Sequence, residues 1–196
     1  MEDYASIFTA WTCITGDDII IMHVSEDVKT VPRQLPVTGT PSRLLHCKEL
    51  DVMVVGSAYT EADEDGGTRT VRPRLQSLQL EHGEYRIPTP DEPNDFLLPT
   101  GEKIHSMTDW LVASADGRKH VLLLVATSWM DGGSKGRLLI LRLVPNEEGI
   151  VSAKKVKNID GFRGPCTAVA ILDETKVVLA AGEDLYLYEF SLQDRQ

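Results

Sequence analysis

The chain has 196 residues, 42% of them apolar, enough for the core of one large domain or two small ones. Its net charge of −10 repels nucleic-acid phosphate and anionic lipid at long range, so a broad electrostatic footprint for either is excluded. No run approaches the roughly 18 apolar residues a spanning helix needs, and Met1-Glu2-Asp3-Tyr4 has neither the basic start nor the apolar centre of a secretory signal.

Residues 8–14 and 19–24 are β-rich runs joined by Thr15-Gly16-Asp17-Asp18, a turn-forming group, and predict a hairpin. An extended piece follows over 28–35, where Pro32 and Pro36 interrupt hydrogen bonding on one side and place it at a sheet edge. Residues 43–47 and 52–57 predict a strand pair, and 75–80, with its leucines spaced by three and then two, only weakly favours a strand. The run 61–67, EADEDGG, reads as a solvated acidic loop, since it lacks the spaced carboxylates and distal glutamate of a calcium loop. Residues 88–99 contain four prolines and no periodicity, and read as a linker.

Strands are then expected over 103–114, 120–127 and 137–144, with a wide turn over 131–136. VLLLVA and RLLILRL are nearly continuous apolar runs, the pattern of strands packed on both faces. Residues 151–159 read as the outer strand of that sheet, and 166–172, 176–181 and 184–190 as three strands of the next. In the last, Leu185, Leu187 and Glu189 face one way and Tyr186, Tyr188 and Phe190 the other, with the aromatic row packed on a neighbouring sheet.

Gly39, Gly101 and Gly164 open three similar stretches, at intervals of 62 (101−39) and 63 (164−101). A fixed period of this kind signals an array of supersecondary units, each needing a stacked neighbour to bury its faces. The expected fold is all-β: a partial β-propeller of about three stacked antiparallel blades. Residues 1–38 would be a hairpin and edge strand completing a preceding blade, 39–100 and 101–163 blade-like units, and 164–196 an incomplete final blade.

The passage KGRLLILRL at 135–143, then Gly164-Pro165-Cys166-Thr167-Ala168-Val169, Val178-Leu179-Ala180-Ala181-Gly182 and Leu185-Tyr186-Leu187-Tyr188-Glu189-Phe190, resembles a shared propeller sequence. It is that of the damage-specific DNA-binding protein large subunit, the cleavage and polyadenylation specificity factor A subunit and the largest propeller subunit of the splicing factor 3b complex. Lys29-Thr30-Val31-Pro32 followed by Gly39-Thr40-Pro41-Ser42-Arg43-Leu44 is similar to a further passage of that superfamily. The resemblance implies a few blades of one propeller in a much longer chain, a nuclear location, and a non-catalytic scaffold role. The partners it implies are other protein subunits of a nuclear assembly, of the cullin-type ubiquitin ligase or pre-mRNA processing kind, with nucleic acid reached through the complex. Uncovered blade faces would also allow self-association.

Reactive chemistry is sparse. His23, His46, His82, His105 and His120 are scattered without metal-ligand spacing, and no nucleophile elbow occurs, so neither a catalytic set, a metal nor a cofactor is expected. Cys13, Cys47 and Cys166 lie far apart in or beside apolar runs, which reads as three buried thiols in a reducing compartment. Trp129 and Met130 before the glycine-rich turn, and Phe162 and Arg163 before Gly164, are the expected partner-binding residues at a blade rim. Replacing Trp129 and Phe162 with alanine is expected to weaken partner capture and spare the fold. Arg69, Arg72 and Arg74 are the basic cluster on which a direct nucleic-acid contact would rest, beside an acidic run able to pair with them. A hydrolase on a propeller is the third reading, and requires turnover that depends on one acid or histidine.

Overall fold

A computed structural model describes residues 10–16, 18–24, 30–37, 39–62, 69–81, 84–86, 95–114, 117–130, 135–147 and 149–190. The expectations for Phe8, 63–67, His82, 88–94 and 131–134 lie outside the described residues. The protein is all-β, with no helix among the described residues.

Its strands form four antiparallel sheets in chain order. The first contains β1 (Ala10–Thr15), β2 (Asp18–Val24) and β3 (Thr30–Pro36), in that order, so the proline-bearing β3 is an edge strand as expected. The second contains β4 (Thr40–Cys47), β5 (Val52–Ala62), β6 (Arg69–Glu81) and β7 (Glu84–Arg86), with β8 (Asp95–Leu97) also paired to β6. The third contains β9 (Glu102–Ala113), β10 (Lys119–Trp129), β11 (Gly136–Pro145) and β12 (Val151–Ile159). The fourth contains β13 (Cys166–Ile171), β14 (Lys176–Ala181) and β15 (Asp184–Glu189).

Each sheet stacks on the next through apolar side chains. Ile19 of the first meets Met53, Val55 and Leu78 of the second, while Val54, Leu75 and Cys47 on the other face of the second meet Leu123, Val125, Leu139 and Leu141 of the third. The opposite face of the third, with Leu122, Leu124, Ala126, Leu138 and Ile140, meets Val169, Val177, Leu179 and Ala181 of the fourth. Strands β10 and β11 are therefore buried on both faces, and Leu123, Leu124, Leu139 and Leu141 are almost wholly excluded from water. Each such leucine contributes about 1.5–3 kcal/mol of burial.

The segment 88–99, expected as a linker, ends inside the fold. Asp95, Phe96 and Leu97 pair with Gln76, Leu75 and Arg74 of β6, and Leu98 is buried.

The 62–63-residue period has a structural counterpart. In each of the last three sheets the first strand bulges against the second at the same place: Ser42, His105 and Thr167 are skipped in the pairings β4·β5, β9·β10 and β13·β14. A bulge puts two residues opposite one and resets which side faces inward. Apolar residues three apart thus share a side: Ile104 and Met107 both lie against Gly56 of the preceding sheet, and Cys166 and Val169 both enter the core shared with the third sheet. Gly39 (φ +85°) and Gly101 (φ +78°) take the left-handed backbone, which only glycine adopts without strain. At Gly164 the reason is space: a Cβ there would lie 2.3 Å from the Cα of Gly182.

Candidate interaction site

Register gathers the expected rim residues at one end of the third sheet. Glu102 lies opposite Trp129, Ser128 opposite Gly136 and Leu138 opposite Ile159, so the β10–β11 turn and the β12–β13 connection leave from the same end. Trp129 and Met130 are on the first and Phe162 and Arg163 on the second.

The turn is anchored from below. The Met130 amide donates to the Gly101 carbonyl (2.7 Å) and the Trp129 amide to the Lys135 carbonyl (3.1 Å). Under it lies an ion pair the sequence gives no hint of. The carboxylate of Glu102, withdrawn from solvent, accepts from Arg137 Nε (2.6 Å) and Nη2 (2.5 Å) and from the Thr127 hydroxyl. The fork-to-carboxylate geometry fixes both planes, and the guanidinium also sits 5.8 Å from the centre of the Trp129 ring. Trp129 is thereby half-buried and held, while Met130 is 49% exposed.

Phe162 requires a correction. Its ring is only 6% exposed and packs edge-on against Tyr186, with centroids 5.0 Å apart, in the core between the third and fourth sheets. It is a core residue, because Tyr186, Tyr188 and Phe190 line the apolar space its backbone enters. Replacing it opens a cavity and does not spare the fold. Arg163 is exposed.

The basic cluster is largely committed. Arg74 is buried, 2.9 Å from the Asp95 carboxylate, with its guanidinium 5.5 Å from the Tyr59 ring centre. That placement removes it from reach of a phosphate. Arg72 pairs with Glu61 at 2.5 Å, and Arg69 is exposed. Burial pushes the Asp95 carboxyl up from its usual range against the opposing pull of Arg74.

His46 lies 3.1 Å from Asp51 at a strand turn, and His105 makes a 2.7 Å hydrogen bond with the Ser128 hydroxyl. Burial, with Lys103 and Arg43 nearby, pulls the His105 imidazole below its usual value. Burial pushes the thiols of Cys47 and Cys166 up to about 11 and about 12. Cys47 and Cys166 are buried as expected, whereas Cys13, also expected to be buried, is exposed. Among the described residues no group of three or more His, Cys, Asp or Glu is placed to hold a metal ion.

A shallow groove runs between β9 and β13, lined by residues including Thr108, Asp109, Trp110, Val169, Asp173 and Glu174. Asp173 turns back on its own loop, accepting from the Thr175 amide (2.8 Å) and hydroxyl (2.9 Å), and these bonds hold its carboxyl below the usual range.

No protein-family model matches the chain, and no curated protein matches its sequence.

Proposed function

We propose that the protein is a non-catalytic interaction scaffold, a propeller-type segment that presents its loop end to other subunits of a nuclear assembly. One observation carries the reading: the same bulge in the same strand pair of three successive stacked sheets, at the period of the three glycines. Repetition of that detail supports one blade unit used again and again, since unrelated sheets have no reason to share it. The sequence resemblance supplies the nuclear, ubiquitin-ligase or pre-mRNA processing setting.

The docking end is the pair of turns bearing Met130 and Arg163, stiffened by the Glu102–Arg137–Trp129 stack. Direct nucleic-acid binding is not favoured, with the charge at −10 and Arg72 and Arg74 already paired to carboxylates. The test is affinity purification of the tagged chain from nuclear extract beside M130E/R163E, both changes at exposed positions. Co-purifying subunits that disappear with the variant, at unchanged melting temperature, are expected. The same subunits retained in full by the variant would refute the assignment of this end.

A further inference from the structure

The outward face of the fourth sheet is apolar and open to water. Cross-strand partners form two rows on it, Ala168–Ala180–Leu185 and Ala170–Val178–Leu187, with Leu185 77% and Leu187 62% exposed. The equivalent rows elsewhere are covered. In the third sheet they are Ser106–Ala126–Leu138 and Thr108–Leu124–Ile140, covered by the fourth sheet, with the Val169 amide donating to Ser106 Oγ (3.3 Å). In the second they are Arg43–Gly56–Leu75 and Leu45–Val54–Ser77, covered by the third. Position by position, the first row reads small in the middle and leucine on the third strand in all three sheets. The open face is therefore built like the two faces that receive a sheet.

We propose that a second copy of this chain covers it, face to face, about a twofold axis parallel to the strands. The face is graded, with alanines on β13 and leucines on β15. A twofold along the strands sets Leu185 and Leu187 of each copy over Ala168 and Ala170 of the other, with Val178 near the axis. A twofold across the strands would set leucine on leucine and leave alanine facing alanine across a gap. Head-to-tail stacking onto the first sheet is the poorer match, because the outer face there carries a hydrogen bond from the Gln34 amide to Asp18 beside Ile20. Among the described residues one charged cross-strand pair, Lys176 with Glu189, borders the patch at one end. Three strands about 4.8 Å apart and about 20 Å long present roughly 290 Å² of sheet plane. That is well below the roughly 800 Å² per partner of a standard stable interface, so a weak dimer is expected.

Sedimentation velocity of the full chain from about 5 to about 500 µM tests it. The expected result is a shift from 21.7 kDa to twice that mass with rising concentration. L185E/L187E should stay monomeric throughout, with unchanged far-ultraviolet circular dichroism. A168L/A170L should also weaken the dimer at least fivefold, although it makes the face more apolar, because it fills the recess for the opposing leucines. A monomer at every concentration, open-ended oligomers, a dimer indifferent to L185E/L187E, or tighter association of A168L/A170L would each overturn the proposal. If L185E/L187E does not fold, A168L/A170L decides alone.

Discussion

Removal of the Glu102 carboxylate should be the most damaging single change at the docking end. The Glu102 side chain is 0% exposed and its partner Arg137 13%, and the carboxylate accepts three hydrogen bonds, two from the guanidinium and one from Thr127. Glu102→Ala leaves a buried guanidinium with no counter-charge; the remaining Trp129 ring contact is worth about 0.5–2 kcal/mol and does not replace it. Breaking a buried pair from one side costs about 3–5 kcal/mol, a large share of the roughly 5–15 kcal/mol stability of a domain. At this chain length the loss corresponds to a fall in Tm of about 6–20 °C. Urea titration at pH 7, read by circular dichroism, measures it. Arg137→Met alone should cost about as much, by stranding the carboxylate, whereas E102Q/R137M should recover more than half of either loss, since no unpaired charge remains. A loss below about 1 kcal/mol for Glu102→Ala, or a double variant as unstable as the sum of its parts, would show that the pair behaves as a solvated one and refute the reasoning.

Three further outcomes follow from packing and burial. Gly164→Ala puts a Cβ 2.3 Å from Gly182 Cα, a backbone atom that cannot rotate away, so it should cost about 3 kcal/mol or more. Gly117→Ala, at φ +78° with open space around it, should cost only about 1 kcal/mol, and thermal melts of the two variants compare them directly. An aromatic disulfide reagent at pH 8 should titrate one thiol, that of exposed Cys13, in the native protein and three in urea. The two buried thiols favour the neutral form when folded. Their contribution is complete below the ordinary value of 9.0 and is lost as pH rises toward about 11 and about 12, so the melting temperature should fall across that window and fall less steeply in Cys166→Ala.

Strands buried on both faces announce themselves in sequence, and β10 and β11 were legible for that reason. The uneven leucine spacing that made β6 a weak expectation has the same cause: Leu75 faces the third sheet and Leu78 the first, so a spacing of three satisfies two cores at once. Strand β8 was hidden because prolines around it read as a linker, while its place is set by β6 and by the distant pair of Asp95 with Arg74. The alternation in β15 was legible, with the tyrosines turned inward and the leucines outward. The candidate site was less so. Phe162 stands among glycines and reads as a loop residue; its burial depends on an aromatic row more than twenty residues later. Glu102 follows a turn glycine and reads as surface, and nothing local marks the guanidinium 35 positions away that buries it.

The bulge joins the legible and the illegible parts. A period-two reading of 104–107 would place Ile104 and Met107 on opposite faces, and the extra residue His105 returns them to the same one. The sequence mark is an apolar residue, two residues of any kind, and a second apolar residue shortly after the repeat glycine: Pro41 and Leu44, Ile104 and Met107, Cys166 and Val169. Ile104 and Met107 lie against Gly56 on the middle strand of the preceding sheet, Leu44 packs with Ile19, and Cys166 and Val169 enter the core with the third sheet. The remaining face of every unit is left shaped to receive the next, and the fourth sheet ends the described array with that receiving face in water.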